Sequence, residues 1–193
     1  MQPDDLIFPA AYCDSVAYYF ERSDCWSASY FGGPSDFAIR GPEGKTSRIH
    51  HISSFTARDL PIGRFGLQLP LFYGIQHSGC RIRYRVTSSN EFELIELVPP
   101  QPAKRFPYPE YPSLLPYIPL RVAREIRCGL EEFAGVLCQQ AKSIEPSTLL
   151  IAVPASPVLG VSLWGPTGDA ECVQMIFECD ISTGTVRAFN QCG

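Results

Sequence analysis

Residues 80–98, CRIRYRVTSSNEFELIELV, constrain the fold more than any other stretch of this chain. Ile82, Tyr84 and Val86 alternate with Arg81, Arg83 and Arg85 in a strict period of two, the spacing that sends successive side chains of a strand to opposite faces. Phe92 to Val98 follows across Ser88, Ser89 and Asn90 and reads as the antiparallel partner. With those three residues as the loop, Thr87 faces Glu91, Arg85 faces Glu93, Val86 faces Phe92 and Tyr84 faces Leu94. Charge meets charge and apolar meets apolar, each pair contributing a few tenths of a kcal/mol. The hairpin has one wet face and one apolar face, and the rest of the chain must cover the second.

That cover is expected to include a helix. After the prolines, PLRVAREIRCGLEEFAGVLCQQ places Val122, Ile126, Leu130, Phe133 and Leu137 at steps of four, four, three and four, the signature of one amphipathic helix over about residues 119–141. Pro119 suits its first turn and Pro146 its end. A shorter helix is expected after Asp14 as cap, with Val16, Tyr19 and Phe20 on one side, before a tight turn at Phe31 to Asp36. Strands are expected at Ser47 to Phe55, Leu149 to Val153, Gly160 to Trp164, Val173 to Cys179 and Thr185 to Phe189, the last two joined by a hairpin loop ending at Gly184. The fold class is therefore α+β: a mostly antiparallel sheet of short strands, one long helix and a crossing segment rich in proline and aromatics.

The crossing segment, Pro99 to Leu120, holds eight prolines and four aromatics in 22 residues. Phe106, Tyr108, Tyr111, Leu114, Leu115, Tyr117 and Ile118 are too apolar for a solvated linker, so the segment is expected to pack over the sheet, with a partner-facing surface as the alternative. At 193 residues and 45% hydrophobic content the chain reads as a single domain, residues 1–193. A charge of −4 argues against nucleic acid and anionic membranes as partners. Two aspartates in the first five residues and no apolar run of about 18 point to a cytoplasmic protein, where the eight cysteines, free of any C-x-x-C pair, serve as small buried thiols.

No motif has the spacing that a specific chemistry requires. GPEGKTS, Gly41 to Ser47, ends like a phosphate loop but has Ile39 where the first glycine belongs, and GVSLWG has Trp164 where a nucleophile elbow needs glycine. His50 and His51 alternate across a strand, so only one of them could join His77 and Cys80 around a metal. A cysteine–histidine pair, Cys80 or Cys25 with His51, is a second arrangement that chain folding could assemble. Asp36, Glu178 and the loop acids Asp169 and Glu171 complete the candidate carboxylates. The expectation is a non-enzymatic binding protein of the cytosol, with no cofactor and no assigned catalytic residue or metal ligand. It would act as an immunity-type inhibitor that occludes another, basic protein through Tyr108, Tyr111, Tyr117, Asp169 and Glu171. The rival expectation is a small hydrolase or metal-dependent enzyme using His51, His77, Cys80 and Asp169.

Overall fold

The computed structural model describes residues 8–34, 38–40, 49–75, 77, 79–88, 91–100, 115–136, 147–154, 163 and 173–192. Among these residues twelve strands form one sheet. They are β1 (Ala10–Cys13), β2 (Val16–Arg22), β3 (Ser29–Phe31), β4 (Ala38–Arg40), β5 (His50–Thr56), β6 (Gln68–Tyr73), β7 (Arg81–Ser88), β8 (Glu91–Val98), β9 (Ile118–Arg127), β10 (Thr148–Val153), β11 (Val173–Asp180) and β12 (Thr185–Cys192). The order across the sheet is β4-β8-β7-β12-β11-β10-β1-β2-β9-β3-β5-β6. Every pairing is antiparallel except β4 with β8. Among the described residues the only α-helix is α1 (Leu130–Val136), with a single 3-10 turn at Gly63–Phe65.

The sheet curls into a half-barrel that brings β6, last in the order, against β7 and β12. At this seam a side chain replaces the strand ladder. The Tyr84 hydroxyl donates to the Pro70 carbonyl at 2.8 Å and accepts from the Phe72 N–H at 3.1 Å. Those two backbone groups, two residues apart on β6, point the same way, so one buried hydroxyl satisfies both. At one end the connection from β5 to β6 plugs the curl, turning Leu60, Ile62 and Phe65 into the core while the Arg64 N–H reaches the Ile181 carbonyl at 2.8 Å.

β1, β10 and β11 are covered on both faces. Ala11, Cys13, Leu149, Ile151, Val153, Met175, Phe177 and Cys179 join the large inner core, while Ala10, Tyr12, Ala17, Leu150, Ala152 and Ile176 form a small outer cluster under Phe133 of α1. The Tyr12 and Phe133 rings stack at 5.2 Å. This double burial explains why LLIAV reads as a continuous apolar run instead of an alternating one.

The long helix over 119–141 is corrected by this structure, and with it the α+β class: the fold is almost all sheet. Ile118–Arg127 is β9, and among the described residues of that stretch helix covers only Leu130–Val136. An even step of four fits a strand as well as a helix, and Ile118, Leu120 and Val122 already alternate. A bulge completes the disguise. Tyr19 pairs with Arg124 but Phe20 with Val122, so Ala123 is the extra residue. Val122 packs on the inner core, whereas Ile126 lies opposite Ala17 of the outer cluster. The apparent stripe thus belongs to two faces.

The helix expected after Asp14 is also corrected, since Val16–Arg22 is β2. Asp14 and Ser15, with φ of 50° and 63°, make the two-residue turn of the β1–β2 hairpin, a conformation suited to Asp more than to a helix cap in this setting. The β7–β8 hairpin keeps three expected pairs, Arg85–Glu93, Val86–Phe92 and Tyr84–Leu94, but Glu91 pairs with Ser88 and not with Thr87. Beyond Leu94 a bulge at Ile95 shifts the register by one residue, so that Arg83 faces Glu96. The strands at Leu149 to Val153, Val173 to Cys179 and Thr185 to Phe189 are present within β10, β11 and β12, and Gly184 has the expected positive φ of 72°. The GPEGKTS turn, most of the 160–164 segment and most of the proline segment lie outside the described residues.

Candidate functional site

His51 stands at the centre of the first candidate. A carbonyl can only accept, so the 3.1 Å bond to the Gly32 oxygen puts the proton on Nδ1, and Nε2 then accepts from the Ser54 hydroxyl at 2.8 Å. Hydroxyl, imidazole and an orienting acceptor in line resemble an activated nucleophile, and Ser54 was not singled out by sequence reasoning. Burial decides its use. Ser54 is fully buried, and desolvation lowers the His51 pKa to about 4, so the hydroxyl is out of reach of a substrate and its base is weak at neutral pH. The pair is a strut that ties the Gly32 turn to β5.

That turn positions the entry to β9. Gly32 and Gly33 have φ of 62° and 72°, and the Gly33 N–H donates to the Leu115 carbonyl at 2.8 Å. A Cβ on Gly32 would lie 2.2 Å from the Pro116 oxygen, so only glycine allows the two chains to meet. Tyr117 is thereby held on the outside, its hydroxyl donating to the Ser27 carbonyl at 2.9 Å and its ring 5.1 Å from that of Tyr30. The Tyr30 ring rests 5.5 Å from the His51 imidazole beneath it. Beside this pair the loop between β2 and β3 carries Trp26, 81% exposed, while Tyr117 is 41% exposed. Trp26 was missed in the sequence. Its signal is the setting, a lone tryptophan in the small, polar stretch SDCWSAS that offers nothing to bury it.

His77 and Cys80 lie elsewhere, at the connection from β6 to β7. Both are buried, and both close over Gly74, where an added Cβ would stand 2.9 Å from the Cys80 sulfur and 3.0 Å from His77 Cδ2. His77 Nδ1 donates to the Pro99 carbonyl at 2.8 Å, which leaves the lone pair on Nε2, buried and without a partner. Burial pushes the Cys80 thiol up to about 11, so as a free group it is protonated and inert at neutral pH. The Tyr73 hydroxyl donates to the Cys80 carbonyl at 2.8 Å, and burial raises its pKa far above the ordinary range.

The catalytic quartet of the rival expectation is therefore split. His51 is engaged with Gly32 and Ser54, His77 and Cys80 share the Gly74 turn, and Asp169 lies outside the described residues, as do Asp36, Glu171, Tyr108 and Tyr111. Among the described residues no group of three or more His, Cys, Asp or Glu is arranged to hold a metal ion. Cys13, Cys80 and Cys179 are buried free thiols, Cys128 is half-buried and Cys25 is exposed. Asp180 is held down to about 2 by the hydroxyls of Ser182 and Thr183, which makes it the organiser of the β11–β12 turn. No described helix is long and apolar enough to cross a membrane. Comparison with protein-family models, with curated proteins and with solved structures finds no match for this chain.

Proposed function

We propose that the chain is a non-enzymatic cytoplasmic protein that binds another, basic protein through the aromatic surface of Trp26, Tyr30 and Tyr117, in the manner of an immunity-type inhibitor that occludes its target. The observation that carries this reading is the exposure of Trp26 next in the chain to Ser27, whose carbonyl accepts the Tyr117 hydroxyl and so holds that ring 5.1 Å from the ring of Tyr30. Tryptophan and tyrosine dominate the energetics of protein interfaces, and aromatics held in place before binding lose little conformational entropy on contact. The net charge of −4 favours the approach of a cationic partner.

The test is affinity capture from the native host with wild type and with Trp26→Ala/Tyr117→Ala as baits. One stoichiometric basic protein retained by wild type, and lost by at least tenfold in the double variant at unchanged thermal stability, is the expected result. Equal retention on both baits, or an empty eluate at micromolar bait, contradicts it. Binding should also weaken as salt rises from 50 to 500 mM, as association driven by unlike charge does.

A further inference from the structure

A buried acceptor with no partner costs on the order of 1–3 kcal/mol, so the bare Nε2 of His77 calls for an explanation. Three features surround it. The other ring nitrogen is fixed by the Pro99 carbonyl, the same outer bond that orients imidazoles ligating a metal. The lone pair left on Nε2 belongs to a residue only 1% exposed. The Cys80 thiol shares the space over Gly74 with the imidazole edge that leads to Nε2.

We propose that His77 and Cys80 form a binding site for a soft monovalent cation such as Cu(I), with Nε2 and the thiolate as its two protein ligands. Two ligands fall short of the tetrahedral set that zinc takes, whereas a d10 monovalent ion accepts low coordination and prefers thiolate with imidazole. Binding replaces the thiol proton: Cys–SH and Cu(I) give Cys–S–Cu(I) and a proton released to solvent, with no change in oxidation state. Gly74 lets both side chains close over the backbone at this turn, since a Cβ there would press on each of them. The site is separate from the aromatic surface and does not depend on partner binding.

The experiment uses the full chain carrying Cys25→Ser, to remove the one described thiol that is exposed, titrated anaerobically with Cu(I) from a coloured chelator. Retention of about an equimolar amount of copper is expected, with a sulfur-to-copper absorption band, proton release and loss of that equivalent in both Cys80→Ser and His77→Gln. Cys179→Ser, a buried thiol outside the site, should leave the titration unchanged. Unaltered copper binding in His77→Gln would mean adventitious thiol capture, and no copper withheld from the chelator would mean that a buried water serves Nε2; either overturns the proposal. Should a variant fail to fold, X-ray absorption at the copper edge of the parent chain decides: a mixed sulfur and imidazole shell is expected, and a sulfur-only shell contradicts it.

Discussion

The hairpin β7–β8 and the segment running from β9 into α1 are written in the same style, apolar residues spaced among arginines and glutamates, and both are interrupted by bulges, at Thr87 of β7 and Ile95 of β8 in the hairpin and at Ala123 in β9. They differ in where the bulges fall. In β8 the bulge comes at Ile95, after the pairs that set the register have been made, so the alternation of Ile82, Tyr84 and Val86 stays legible. In β9 it comes at Ala123, mid-strand, and turns the apolar residues on its two sides to opposite faces, leaving a step of four that mimics a helix. The partners also differ. β8 follows β7 after a short loop, whereas β9 pairs with β2 and β3, about a hundred residues earlier in the chain. Periodicity reports a face only as long as nothing is inserted, and pairing is visible in sequence only when the partner is near.

The largest way to test the difference is at the end of the misread segment. Phe133 is the piece of α1 that covers the outer cluster and stacks on Tyr12, so Phe133→Ala should cost about 3–5 kcal/mol in denaturant unfolding. A loss under about 1 kcal/mol would show that the outer cluster is not a core.

Much of the sheet was legible and much was not, for physical reasons. β7, β8, β10, β11 and β12 announced themselves because their hairpin loops are short or their runs are β-branched and aromatic. β1 and β2 did not, since AAYC is too short to show a period and VAYYFER has apolar residues at both parities, as a strand buried on both faces requires. Of the candidate site, Tyr117 was anticipated from the density of aromatics, but Trp26 and Ser54 were not. An exposed aromatic breaks no pattern, and a serine bonded to histidine three residues away becomes a pair only when the strand bulges between His51 and Ser53.

The next test concerns the approach to β9. His51 titrates near pH 6.5 when unfolded but near 4 when buried, so the unfolded chain gains a proton first as pH falls, and stability declines across that window. The shift corresponds to about 3 kcal/mol, fully present above pH 6.5 and lost by about pH 4. In His51→Gln the slope of stability against pH between those limits should flatten; an unchanged slope would remove His51 from this role.

A comparable probe of the hairpin side is Tyr84→Phe. It removes the hydroxyl that serves both Pro70 and Phe72 at the seam, so a loss of about 2–3 kcal/mol is expected, with faster amide exchange at Phe72. Unaltered protection at Phe72 would mean that the seam closes without it.

The smallest effect should come from deleting a bulge residue. Removing Ala123 restores simple alternation and leaves Val122 inside and Arg124 over Tyr19, so stability should change by no more than about 1 kcal/mol. In a helix the same deletion would rotate every later residue by about 100° and dismantle the apolar stripe, with a loss of several kcal/mol.

The most direct measurement of the central claim, that residues 118–127 are a strand of the curled sheet, is a set of nuclear Overhauser contacts on the labelled chain. Cross-strand backbone contacts are expected between Tyr18 and Glu125 and between Phe20 and Val122. A ladder of contacts between residues three apart along Leu120 to Arg127, without those pairs, would show a helix and contradict the claim.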